Sequence, residues 1–159
     1  MKLKTLFFTL ALVGMACVFM AAGIQAGTQV DDVIKMDHKA YPEHTKGIVE
    51  FSHRKHFTEY GAKCGDCHHD DKGKPLTALK EGDDVKPCLD CHTKPGEVPK
   101  EVKKEWRDKK LSKAETDKLE LEYHAEAMHT NCIGCHKTWD KENKSKAAPT
   151  SCTKCHPKK

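Results

Sequence analysis

The hydrophobic positions are concentrated at the N-terminus. Lys2 and Lys4 precede an apolar run from Leu6 to Ile24, which leads through small residues to Ala26. A basic start, an apolar centre and a small-residue end are typical of a secretory signal peptide. We therefore expect residues 1–26 to be removed, leaving one mature domain of residues 27–159 that is not stably inserted in a membrane. Because the run approaches spanning length, a retained membrane anchor is the alternative.

Beyond that run, the clearest periodic pattern lies between residues 93 and 131. Pro99 suits the first turn of a helix, which could extend to about Leu111 with Val102 and Trp106 on one side. The pattern predicts an amphipathic surface helix there.

A second helix is predicted immediately afterwards. Ser112 and Glu115 have the spacing of a capping box, which marks a helix start. Leu119, Tyr123 and Ala127 then recur every fourth residue and form an apolar stripe. We interpret this stripe as a packing surface.

The remaining sequence is interrupted by Gly, Pro and Lys too often for long elements. A small N-terminal strand pair is expected near residues 48–51. Charged residues make up 33% of the chain and hydrophobic residues 37%, and much of the hydrophobic share lies in the first 26 residues. A mature chain this polar cannot build an ordinary core, so a cofactor has to supply the interior. We therefore predict a mainly α and irregular fold with a few short helices.

The cysteines have an unusual spacing. Cys17 lies in the predicted signal peptide, and the other eight form four C-x-x-C-H motifs, numbered 1 to 4, at residues 64–68, 88–92, 132–136 and 152–156. Disulfides place no demand on the residue after each cysteine, and a zinc ribbon has no need of four adjacent histidines. C-x-x-C-H is the attachment motif of c-type haem.

The motif chemistry assigns these residues. Two thiols one helical turn apart bind one haem covalently, and the histidine that follows becomes the proximal iron ligand. The sequence thus predicts four haem c groups. Their attachment residues are Cys64, Cys67, Cys88, Cys91, Cys132, Cys135, Cys152 and Cys155, and their proximal ligands are His68, His92, His136 and His156.

Seven further histidines remain after these four are assigned. Only Met36 and Met128 survive removal of the signal peptide, so methionine cannot be the sixth ligand of every iron. Histidine on both sides of each iron is the favoured interpretation. Surface histidines, with one or more irons left open, are the alternative.

Basic charge is concentrated at the C-terminus. Residues 131–159 contain seven lysines against Asp140 and Glu142. The functional interpretation is a docking surface for an acidic redox partner, formed by Lys137, Lys154, Lys158 and Lys159. A solvated face is the alternative, and an exported protein would not meet nucleic acid.

The segment before motif 1 resembles a known family. Phe51, His53 and His56 form F-x-H-x-x-H, which precedes C-x-x-C-H-H ending at His69. This combination resembles the class III tetrahaem cytochromes, the cytochrome c3 family. The resemblance implies a small haem-cored fold. Two-residue gaps in all four motifs and the long segment between motifs 2 and 3 look more like the divergent type II members.

The resemblance also implies the distal ligands. Numbering each haem by its motif, His53 would ligate haem 1, His69 haem 2, His56 haem 3 and His129 haem 4. His124 is the rival candidate for the last position.

Iron ligated on both sides has no vacant position for substrate, so we expect an electron carrier and not an enzyme. The export signal predicts a periplasmic location, and two histidine ligands without methionine favour a low reduction potential. The resemblance implies a role in anaerobic respiration. The protein's expected partners are hydrogenase, formate dehydrogenase, another cytochrome or a membrane redox complex. The alternatives are a membrane-anchored quinol-oxidising cytochrome, a multihaem reductase with one open haem, and a subunit of a haem-stacked filament.

Overall fold

A computed structural model describes residues 31–158 of the chain. The predicted signal peptide, including Cys17, and the last predicted docking residue, Lys159, lie outside the described residues. Within residues 31–158, no helix is long and apolar enough to cross a membrane.

The predicted N-terminal strand pair is present. Strand β1 (Ile34–Lys35) pairs antiparallel with β2 (Glu50–Phe51), with Ile34 opposite Phe51 and Lys35 opposite Glu50. This short hairpin leads directly into the first helix, so it sets the position of the histidines that follow Phe51.

The helices are mostly short, as predicted. Their order is α1 (His53–Thr58), α2 (Cys64–Cys67), a 3₁₀ turn (Cys88–Asp90), α3 (Lys100–Asp108), α4 (Lys113–Glu120), α5 (His124–Glu142) and α6 (Cys152–Cys155). The four C-x-x-C-H motifs therefore each begin in helix or 3₁₀ turn.

Helices α3 and α4 follow the sequence signals closely. Pro99 is the residue before α3, and the helix ends at Asp108 because the chain turns at Lys110, where φ is 54°. The Ser112 side chain accepts the Glu115 N–H, and the Glu115 carboxylate accepts the Ser112 N–H. The predicted capping box is thus confirmed.

Two expectations about the following residues are wrong. The apolar stripe does not belong to one helix, because Leu119 lies in α4 whereas Tyr123 precedes α5 and Ala127 lies within it. The chain bends here because Tyr123 forms an isolated parallel bridge with Lys94. Helix α5 also has 19 residues, although no long element was expected. Residues 124–148 contain no proline and only one glycine, so nothing in their backbone chemistry stops a helix early.

Few side chains are buried. Among the described residues only Val98, Tyr123 and Ala127 are buried, and no polar or charged residue is. All three lie where the segment after motif 2 packs against the start of α5. Three buried residues are far too few to stabilise a domain of this length by side-chain burial alone.

Candidate haem-binding sites

The cysteine motifs share one local geometry. In three of them, the N–H of the motif histidine donates to the carbonyl of the first cysteine: His68 to Cys64 at 2.9 Å, His92 to Cys88 at 2.9 Å and His156 to Cys152 at 2.7 Å. Motif 3 lies wholly inside α5. A single closed turn brings both thiols of a motif to one side, and this is the arrangement that bridging one haem requires.

None of the eight described cysteines is paired in a disulfide. The pKa of Cys132 is raised to about 11, chiefly by burial and then by the neighbouring thiols, of which Cys67 and Cys155 come first. The Asn131 side-chain amide donates to the Cys67 carbonyl at 3.3 Å. Motif 3 therefore lies beside motifs 1 and 4, and haems attached to these thiols would be close neighbours.

Eight histidine rings form four facing pairs. Each pair joins one motif histidine to one histidine from the surplus set, and the pairs are those implied by the family resemblance. The ring centroids are 6.3 Å apart for His53–His68, 5.9 Å for His69–His92, 6.2 Å for His56–His136 and 6.3 Å for His129–His156.

These spacings fit an iron ion between the two rings. A metal–imidazole bond of about 2.0 Å, plus about 1.1 Å from nitrogen to ring centre, puts the two centroids about 6.2 Å apart. The observed range of 5.9 to 6.3 Å brackets this value. The residues present thus fit four six-coordinate haems, although the individual ligand assignments stay predictions.

The second ring nitrogen of most of these histidines faces a backbone carbonyl. The Nδ1 atoms of His56, His69, His92, His136 and His156 contact the carbonyls of Ser52, Asp70, Leu121, Pro149 and Gly47, respectively. A carbonyl only accepts, so Nδ1 carries the proton in each case. The Nε2 atom is then left with a lone pair for a metal, and the ring orientation is fixed.

The pair assigned to haem 1 is partly buried. His53, His68 and Cys64 line one cavity together with Phe57, Leu79 and Val85. Burial is the largest cause of a lowered pKa at both His53 and His68. A lowered pKa favours the neutral imidazole, which is the form that can bind iron.

His124 has a different environment from the paired histidines. Its Nδ1 atom is 2.7 Å from the Tyr41 hydroxyl, and the Tyr41 ring stacks on His44 with centroids 5.4 Å apart. The pKa of His124 is lowered, first by burial and then by the charges of His92 and His38. The structure thus places His129, and not its rival, opposite a motif histidine.

The described lysines of the predicted docking surface are exposed. Lys137 follows motif 3 on α5, and Lys154 lies within motif 4. Lys158 lines a surface cleft with Cys155, a thiol predicted to attach haem 4. Positive charge therefore lies beside this site, and docking itself stays a prediction.

Sequence reasoning missed several residues around the rings. Tyr41 and Glu97 approach histidines from segments far away in the chain, and no local motif marks them. The Gly47 carbonyl accepts from His156 at 2.9 Å, and a Cβ atom at Gly47 would lie 2.0 Å from the Pro157 carbonyl oxygen. Gly47 does not lie in a recognisable turn motif, and a glycine in such a position can mark the close approach of two backbone segments.

Comparison with known proteins agrees with this geometry. Residues 29–156 match the class III cytochrome c family, and the chain belongs to that family. It is therefore a multihaem electron-transfer protein with covalently bound haem c. Cytochrome c3 from Desulfovibrio desulfuricans is 29% identical over 116 residues, which cover 72% of this chain and 82% of the relative. No solved structure matches the chain.

Proposed function

We propose that the mature protein carries four haem c groups, each ligated by one of the four histidine pairs, and serves as a low-potential electron carrier. The observation that carries this proposal is the set of four ring pairs, each at the spacing of two imidazoles on one iron. The eight cysteines and eight histidines provide two thiols and two imidazoles for each of the four sites.

The chemistry at each site is electron transfer alone. Bound haem supplies a one-electron iron couple, and two imidazole nitrogens favour a low reduction potential. The chain's own part is to hold the rings in place, five of the eight through an Nδ1 contact with a backbone carbonyl, and to leave no iron position open. A site closed on both faces does not bind a substrate, which supports a carrier over a reductase.

The ligand arrangement also supports rapid exchange between haems. His53 and His56 lie one turn apart on α1 but face the rings of His68 and His136, in different motifs. His68 and His69 are consecutive and also belong to different pairs. Ligands this close in the chain require their haems to be neighbours, so an electron entering at one site can reach the others.

We further propose a periplasmic location and an acidic redox partner. Cleavage of the signal-like residues 1–26 would release the mature chain into the compartment where haem attachment occurs. Hydrogenase, formate dehydrogenase, another cytochrome and a membrane redox complex are the candidate partners. The lysines Lys137, Lys154, Lys158 and Lys159 would guide such a partner to the haem 4 edge.

A reductive titration of the purified holoprotein tests the carrier function. We expect four electrons to be taken up per chain and returned fully to an oxidised acceptor, without net consumption of nitrite, peroxide or metal ions in the presence of a low-potential donor. Steady turnover of any of these substrates would favour a multihaem reductase instead.

A further inference from the structure

The distal histidine assigned to haem 4 has a carboxylate near its second ring nitrogen. The His129 Nδ1 atom lies 3.7 Å from the Glu97 carboxylate oxygen Oε1. The histidines with described Nδ1 hydrogen bonds in the other pairs, and His156 in the same pair, face neutral backbone carbonyls. The pair assigned to haem 4 thus has a carboxylate beside the Nδ1 atom of one ligand, whereas at the pair assigned to haem 1 the opposite charges of Glu81 and Arg54 both act on His53.

The backbone around Glu97 is fixed against α5. The Lys94 carbonyl accepts the His124 N–H at 2.8 Å, and the Gly96 carbonyl accepts the Ala125 N–H at 3.1 Å. His129 lies four residues beyond Ala125, about one helical turn along the same face. The backbone at Glu97 is therefore tied to the turn of α5 that precedes His129, which keeps the carboxylate close to that ring.

The next residue is also anchored. Val98 is 5% exposed, and its N–H donates to the Glu126 carboxylate at 3.3 Å. Glu126 also accepts from the Lys103 ammonium at 3.0 Å. Lys103 also interacts electrostatically with Glu97, but its hydrogen bond is to Glu126.

We infer that Glu97 lowers the reduction potential of haem 4 by placing negative charge at the Nδ1 side of its distal ligand. The inference rests on the proposed ligation of haem 4 by His129 and His156. Reduction adds one electron to the iron and removes one positive charge. A nearby carboxylate favours the oxidised, more positive state, so it lowers the reduction potential.

The effect is limited by solvent. The side chains of His129 and Glu97 are 39% and 67% exposed, respectively. Exposed charge pairs are worth up to about 1 kcal/mol, which is about fivefold in an equilibrium constant. For a one-electron couple, fivefold corresponds to about 41 mV.

The test is the Glu97→Gln variant of the holoprotein, with Glu101→Gln as the control. The first change removes the charge facing His129 while keeping the side-chain shape. The second removes the same charge from the exposed first turn of α3. Each protein is titrated potentiometrically and followed by visible and EPR spectra. The signals of haem 4 are assigned from their loss or shift in His129→Met.

We expect Glu97→Gln to raise the reduction potential of haem 4, by an amount that corresponds to up to about a fivefold change in its reduction equilibrium constant. The EPR signal of haem 4 should also shift. The other three potentials should change less, and Glu101→Gln should leave all four in place. If Glu97→Gln keeps four low-spin haems with unchanged potentials, the inference is wrong and the proposed function stands. Fewer than four low-spin haems in the wild-type protein would instead overturn the proposed ligation itself.

Discussion

The rings of His56 and His136 lie nearly parallel, with 25° between their planes and centroids 6.2 Å apart. The other three facing pairs are crossed, at 81° for His53–His68, 73° for His69–His92 and 87° for His129–His156. One of the four candidate sites is therefore geometrically distinct from the rest.

Ring orientation predicts the EPR spectrum of the oxidised protein. Each imidazole donates into an iron d orbital perpendicular to its own plane. Parallel rings interact with the same iron d orbital and raise its energy above that of a second d orbital. Crossed rings interact with one orbital each, so the energies of the two orbitals stay nearly equal. We expect three strongly anisotropic low-spin signals and one rhombic signal, from haem 3.

A His56→Met variant provides the assignment. It should remove the rhombic signal and leave the three anisotropic ones. Four equivalent signals in the wild-type protein would contradict the ring geometry described for the His56–His136 pair.

A second prediction distinguishes the two rival histidines of α5. Replacing His129 by Met should leave four covalent haems but raise one potential or make one iron high-spin, because the pair with His156 is broken. His124→Met should do neither, because His124 contacts Tyr41. Visible spectra and a redox titration of both variants measure this. A silent His129→Met beside a sensitive His124→Met would reverse the assignment.

The motif residues could be assigned from the sequence alone because haem attachment depends on local spacing. A C-x-x-C-H motif needs only one turn of chain, and its geometry is largely independent of the rest of the fold. The same holds for the Ser112–Glu115 capping box, whose two hydrogen bonds are made within four residues. The position of the second strand, near residues 48–51, was predictable, but no sequence signal marked its partner strand, Ile34–Lys35.

What the sequence could not show depends on contacts between distant segments. The length of α5 was not predicted, because the third C-x-x-C-H motif does not by itself indicate that it lies inside a long helix. The end of the apolar stripe at Tyr123 depends on its bridge to Lys94. The Glu97–His129 contact likewise depends on how residues 94–98 pack against α5, and no single-segment pattern encodes it.

A third prediction concerns acid stability. The pKa of His124 is lowered in the folded protein from its ordinary value of 6.5, mainly by burial. The unfolded chain therefore binds the proton first as the pH falls. Stability contributed by neutral His124 is present above pH 6.5 and is lost as the pH falls through the folded-state pKa.

The matched variant is His124→Gln, which keeps a neutral polar side chain near Tyr41. We expect its free energy of unfolding to fall less than that of the wild-type holoprotein between pH 7.5 and about pH 5.5. Guanidinium denaturation at both pH values measures the difference. An identical pH dependence in the two proteins would mean that His124 does not contribute to it.

A fourth prediction tests the docking surface. Reversing Lys154 and Lys158 to glutamate should slow electron transfer with an acidic partner by about tenfold or more at low salt, because steering charge is lost. The wild-type rate should also fall as salt is raised. The reversal of Lys100 and Lys118, which lie on the segment between motifs 2 and 3, is the matched control.

Stopped-flow kinetics with hydrogenase or formate dehydrogenase as the donor measure these rates, and redox titration checks that the potentials change little. If the Lys154 and Lys158 reversal leaves both the rate and its salt dependence unchanged, electrons enter elsewhere. The N-terminal region near haem 1 would then be the next surface to vary, because residues 27–71 contain nine acidic and six basic side chains.

The most direct test of the account counts haems and open iron positions in one preparation. The intact mass of the purified mature protein gives the number of covalent haems, and carbon monoxide added to the reduced protein reports any iron with a free position. We predict the mass of the mature chain plus four haems, and a reduced spectrum that carbon monoxide does not change. Three or fewer haems, or a carbon monoxide adduct at any of them, would contradict the account of four sites closed by histidine pairs.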